Sequence, residues 1–173
     1  MPEPMEELLA TRRFKVVRQG EADASGQIRP REYVVHPGAV TILPLLADGR
    51  VVLIRNRRIA IGTTLVELPA GTLDPGESPE QTARRELIEE TGYRGTHFQL
   101  LCDFHTSPGI LSERMYLFLA TGLTEGKAAP EPGEKIDPFV VPWKDAMAMV
   151  DRGEIHDGKS LVGLMFYDRM LRK

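Results

Sequence analysis

Along the first two thirds of the chain, apolar and polar positions change places in short runs, and only later do they settle into helical spacing. Residues 14–18, 32–35, 40–46, 51–56, 64–68, 97–104, 114–119 and 139–141 are rich in β-branched or aromatic side chains, and each run is predicted to be a strand. Between the fifth and sixth runs lies a segment with complete helix punctuation. Ser78 caps it, Pro79 suits its first position, Gln81 completes a capping box with Ser78, and Gly92 ends it. Residues 144–152, after Pro142, and 160–171 are predicted helices too. In the last one Leu161, Leu164, Met165, Asp168 and Leu171 fall at helical spacing, with Asp168 the polar member. Helices on a mixed sheet imply an α/β (α+β) sandwich, and 173 residues suffice for one domain with a full core.

Composition narrows the class. With 42% hydrophobic and 27% charged residues the chain is ordinary for a soluble protein, and apolar runs such as 39–46 are too short to span a bilayer. The first residues, Met-Pro-Glu-Pro-Met-Glu-Glu, are acidic where a secretory signal is basic and then apolar, so a cytoplasmic protein is expected. Cys102 is the sole cysteine, which excludes an intrachain disulfide and a cysteine-based zinc cluster. A formal charge of -3 argues against general attraction to nucleic acid or to an anionic membrane.

The chemistry is concentrated in the capped helix, whose last turns carry Arg85, Glu86, Glu89 and Glu90. Glu86 lies beside both Glu89 and Glu90, at a cost of roughly 0.2–0.5 kcal/mol per like-charged pair, and acids near a helix C-terminus also oppose its dipole. Arg85, four residues before Glu89, offsets that one. Glu86 and Glu90 are left as the pair most in need of a counter-ion, a role that a hard divalent cation fills. The competing explanation is a solvated acidic face.

The lead-in decides between them. From Gly71 through Glu77, Arg85-Glu86, Leu87, Glu89-Glu90 and Gly92 to Tyr93, the segment resembles the Nudix box at every specified position. Leaving aside the apolar positions Leu87 and Tyr93, the seven matches to a single residue type would arise by chance about once in a million chains of this size. The resemblance implies a Nudix-type α/β/α sandwich around a mixed β-sheet and hydrolysis of a pyrophosphate with Mg²⁺, for which Mn²⁺ substitutes. It also implies that Glu86, Glu90 and the backbone carbonyl of Ala70 are the principal metal ligands, that Glu77 and Glu89 assist, and that Arg85 orients the glutamates. A divalent cation is needed for binding as well as chemistry, because glutamates would otherwise repel a polyanion. Gly71 and Gly76 are expected to permit turns that a side chain would obstruct.

Residues outside the box point to the substrate. Pro108, in Ser107-Pro108-Gly109, stands sixteen residues after Gly92, and Glu113 follows five residues later. This spacing resembles the ADP-ribose pyrophosphatase subfamily, although Ser-Pro-Gly alone is a common turn. Upstream the chain reads Asn56-Arg57-Arg58 where the subfamily usually has Gln-Tyr-Arg. The retained Arg58 suits bidentate contact with a diphosphate, while the two changed positions bear on base and sugar recognition. In this subfamily the general base comes from a later acidic loop. Glu134 fits best, with Glu131, Asp137 and, outside the loop, Glu113 as alternatives, and a Gly- and Pro-bearing loop suits delivery of a carboxylate to the attacking water. The plain alternative is a solvated connection.

Residues 153–160, Gly-Glu-Ile-His-Asp-Gly-Lys-Ser, match the P-loop pattern letter for letter. Their context defeats it, because a helix rather than a strand precedes them and too little chain follows. The segment instead resembles a turn before the last helix of nucleotide-sugar Nudix enzymes, including those that cut GDP-mannose.

The resemblance spans about residues 33–171. It implies an N-terminal β-strand extension over residues 1–35, a hydrolase domain over 36–173, and a homodimer in which the extension packs on the partner, with Arg57 and the strand near Tyr33 at the contact. Three functions remain in view: an ADP-ribose pyrophosphatase yielding AMP and ribose 5-phosphate, a hydrolase of GDP-mannose or another nucleotide sugar, and a sensor that binds ADP-ribose-like ligands without cutting them.

Overall fold

In the computed structural model, residues 5–129, 133 and 135–170 are described. Ten strands and three α-helices follow in the order β1 (Glu6–Ala10), β2 (Lys15–Ala22), β3 (Ile28–Val35), β4 (Ala39–Pro44), β5 (Arg50–Arg58), β6 (Thr63–Glu67), β7 (Ala70–Thr72), α1 (Pro79–Thr91), β8 (His97–His105), β9 (Arg114–Thr121), β10 (Ile136–Pro142), α2 (Trp143–Asp151) and α3 (Gly158–Met170). This is the mixed α+β architecture that the residue pattern predicts.

The strands form three sheets, with orders β1-β2-β3, β10-β5-β6 and β7-β4-β9-β8. Within the third, β4 and β9 run parallel while β7 and β8 are antiparallel to their neighbours. All six residues of β4 are buried. A strand covered on both faces reads as an unbroken apolar run, as Ala-Val-Thr-Ile-Leu-Pro nearly does. Its period of two divides the core. Val40 and Ile42 pack with Ala83 and Leu87 of α1, whereas Leu43 packs with Leu164 of α3, Leu68 and Trp143. Helices on both sides of β4 thus hold the sheet whose edge strand, β7, carries the start of the box.

Helix α1 has the predicted ends. Ser78 accepts from Gln81 N, the reciprocal bond completes the capping box, and Gly92 closes the helix in the left-handed conformation. Strands β1 and β7 are absent from the sequence reading. Glu6–Ala10 has a helix-favouring composition, yet it pairs antiparallel with β2, and Lys15 and Arg18 meet Glu7 and Glu6 across the pair. Cross-strand pairing overrides local propensity here. Helix α3 turns differently from its predicted stripe. Ser160, Gly163 and Leu164 are buried, while Met165 is exposed.

Candidate active site

Two carboxylates of α1 lie against β7. Glu90 is 4% exposed, and its Oε2 accepts a hydrogen bond from the Ala70 amide at 2.8 Å. One turn earlier, Glu86 presses on Gly71: a Cβ built there would fall 1.8 Å from Glu86 Oε1. The sequence suggests a turn at Gly71, but the residue lies inside β7. What it provides is room for a carboxylate to approach the strand backbone. Gly76 does make the expected turn, at φ +87°.

Arg85 organises the remaining acids. Its Nε and Nη2 donate to the two oxygens of Glu77 at 3.1 and 3.0 Å. Nη1 donates to Glu86 at 2.7 Å and to Glu89 at 3.0 Å, and Nη2 also reaches the Thr72 carbonyl at 3.2 Å. The compensation expected for Glu89 alone therefore extends to Glu86 and Glu77, because Glu77 meets the guanidinium side-on in the bidentate geometry that favours arginine. The Arg85 hydrogen bonds, assisted by one from Thr82 at 2.8 Å, hold the Glu77 carboxyl below its ordinary value. Reciprocally, Glu77 and then Glu86 push the Arg85 guanidinium further from deprotonation.

Among the described residues, no three His, Cys, Asp or Glu side chains are grouped so as to hold a metal ion by themselves. The candidate donor set is mixed: the carboxylates of Glu86 and Glu90 with the backbone of Ala70, all lining one cavity of about 680 Å³. Oxygen donors with two negative charges fit a hard divalent cation. Glu77 lines the same cavity. So do Arg12, Arg13 and Phe14, from a β1–β2 turn in which Thr11 Oγ1 accepts from Phe14 N at 2.9 Å. Sequence reasoning missed this turn. A threonine followed by two arginines just ahead of the predicted strand at residues 14–18 was the available signal.

A second cavity, about 330 Å³, adjoins the first along β7 and shares Arg58, Ala70, Gly71 and Thr72. Its other walls include Thr106, Glu113, Asp157 and Lys159. Glu113 accepts from Thr106 Oγ1 at 2.7 Å and lies 3.5 Å from His36 Nδ1. Arg58 stands at the junction with its Nε donating to the fully buried Glu67 at 2.8 Å, a contact that raises its pKa. Lys159 Nζ joins Glu67 to Asp157. Burial works against ionisation of Asp157, but Lys159 and Ser160 outweigh it and hold the carboxyl below its ordinary value.

Not every sequence-derived candidate reaches these cavities. Arg57 is exposed on β5 opposite Thr64, and Pro108 and Gly109 sit in the 107–110 turn, lining neither cavity. Asp137 makes a surface ion pair with Arg55 at 3.1 Å. Glu131 and Glu134 lie outside the described residues. The P-loop match resolves as a helix start, because α2 precedes it and Asp157 Oδ2 accepts from Ser160 N at 3.0 Å, as a capping residue does.

Comparison with known proteins agrees with this geometry. A family model described as NUDIX domain matches residues 35–161. An ADP-ribose pyrophosphatase of Bacillus subtilis (strain 168) is 37% identical over 144 residues, covering 82% of this chain and 78% of the relative. A GDP-mannose pyrophosphatase of Yersinia pestis (strain Pestoides F) is 35% identical over 175 residues, covering 92% and 87%. In three dimensions the chain is similar to a crystal structure of an ADP compounds hydrolase, with a TM-score of 0.85, 23% identity, and coverage of 99% of this chain and 94% of that one. No described helix is long and apolar enough to cross a membrane.

Proposed function

The chain belongs to the NUDIX domain family, and from that premise we propose that it hydrolyses the pyrophosphate of ADP-ribose with Mg²⁺, giving AMP and ribose 5-phosphate. The observation that carries the reading is the placement of Glu86 and Glu90 against Ala70 and Gly71 at the wall shared by two cavities. A divalent cation held there, Mg²⁺ or Mn²⁺ in its place, would supply charge neutralisation for the phosphate oxygens and lower the pKa of a water. Glu86, Glu90 and the Ala70 carbonyl would hold the ion, and Arg85 fixes Glu86, Glu89 and Glu77 in orientation. Arg58, braced by Glu67, presents its guanidinium to the diphosphate at the cavity junction. The larger cavity has room for a nucleoside, and the smaller one offers Glu113 and Asp157 to sugar hydroxyls. Glu134 receives the proton of the attacking water.

ADP-ribose is favoured by the position of Pro108 and Glu113 after the box and by the relative named for that substrate. The second reading, GDP-mannose, is favoured by the Yersinia relative and by the turn at residues 157–160. The extension at residues 1–35, which ends where the family model begins, is proposed to form a homodimer. Its strand β1 is exposed throughout, with Leu8 and Leu9 outward. Sedimentation of a monomer at micromolar concentration would contradict the dimer. For the catalytic assignment, Glu90→Gln should lose turnover by several orders of magnitude while remaining folded, since relief of charge repulsion favours the helix. Near-normal turnover in that variant overturns the assignment.

A further inference from the structure

The segment joining β6 to β7, residues 67–70, forms the wall against which Glu90 is hydrogen bonded, and it is held at every step. Arg58 and Lys159 grip the buried Glu67 from two sides. Leu68 N donates to Ser160 Oγ at 2.7 Å, and the Pro69 carbonyl accepts from Ile42 N at 2.9 Å. Ala70 N donates to Glu90. Two of these restraints come from the 157–160 turn, 92 residues away in sequence. That turn is itself rigid: Asp157 Oδ2 accepts from Lys159 Nζ at 2.8 Å, Ser160 Oγ at 2.6 Å and Ser160 N at 3.0 Å. Ser160 is fully buried and Lys159 is 9% exposed.

We propose that the 157–160 turn is a positioning element for the metal site: through Ser160 and Lys159 it fixes residues 67–70, so that the Ala70 carbonyl and Glu90 stand preformed for the cation. Serine suits the task because one hydroxyl can accept from Leu68 N while donating to Asp157. Lysine suits it because a compact ammonium meets two carboxylates at once. No side chain of the turn needs to touch the ion. Groups that support metal ligands in this way typically contribute about 10- to 100-fold to metal affinity.

The inference rests on the metal site proposed above, and the test separates the two. Mn²⁺ binding is measured without substrate, by electron paramagnetic resonance, on the wild type, Glu90→Gln, Ser160→Ala and Lys159→Met. Circular dichroism and thermal melts establish the temperature at which each is folded. Wild type should bind Mn²⁺ and Glu90→Gln should not. Ser160→Ala should bind about tenfold more weakly while still folded, and Lys159→Met should weaken binding in the same direction. If Ser160→Ala does not fold, Lys159→Met carries the measurement. Folded variants that keep wild-type Mn²⁺ affinity but melt earlier would make the turn merely structural and overturn the inference. Failure of the wild type to bind Mn²⁺ would overturn the metal assignment and the inference together.

Discussion

Gly71→Ala isolates the closest approach in the site. The new methyl would lie 1.8 Å from Glu86 Oε1 and 1.9 Å from its Cδ, whereas real Cβ atoms keep at least 3.0 Å from such neighbours. The carboxylate must therefore retreat by about 1.2 Å. A misplacement of roughly 1 Å at a reacting centre costs about 100-fold in rate, or about 2.7 kcal/mol of barrier. Stability should change only modestly, because the three nearest atoms all belong to the Glu86 side chain, from Cγ at 2.5 Å outward, rather than to backbone, and alanine relieves the entropic cost of glycine in a strand, about 0.5–1 kcal/mol. The assay is steady-state turnover of ADP-ribose across a Mg²⁺ titration, paired with a thermal melt. Turnover should fall about 100-fold, with a higher Mg²⁺ requirement and only a modest change in melting temperature. Turnover within threefold of wild type would refute the reasoning, since Glu86 would then tolerate displacement and could not be a principal ligand.

Two further outcomes concern Asp157 and Glu134. The folded Asp157 carboxyl is held below its ordinary value of 3.8, so its contribution to stability is present above that value and is lost as pH falls through the lower, folded one. Asp157→Asn should thus be less stable than wild type by about 2 kcal/mol at pH 7, with the gap closing below pH ~4 in denaturant titrations. A gap that is constant down to pH 2 would contradict the assigned ionisation. Glu134→Gln should lower kcat by about 10²- to 10⁴-fold and remove the acidic limb of its pH profile, whereas an unaltered profile moves the base to Glu131, Asp137 or Glu113.

The helix and its box were legible because both are local. Ser78, Pro79, Gln81 and Gly92 announce α1 through interactions within one or two turns, and the spacing of Glu86, Glu89 and Glu90 is set by the helix itself. The eight anticipated strands appear for the same reason, with ends shifted by a few residues. Strand β1 was not legible, because its alternative to a helix depends on β2 being present. The contact between Gly71 and Glu86 joins residues of different elements, and nothing in either neighbourhood signals it. Glu67 could be read as one more acid beside the box. Its burial between Arg58 and Lys159 exists only once α3 has folded back onto β6. Arg57 and Pro108 illustrate the reverse case, since proximity in sequence to site residues leaves both outside the cavities.

The most direct test of hydrolysis at this site is the release of mononucleotide from ADP-ribose, GDP-mannose, UDP-glucose and NADH by the purified chain, with Mg²⁺ and again with excess chelator. Mg²⁺-dependent release of AMP and ribose 5-phosphate, with ADP-ribose turned over fastest, is the predicted result. Equal or faster turnover of GDP-mannose would transfer the substrate assignment to the second reading, and release that persists in chelator, or none from any of the four, would contradict the account.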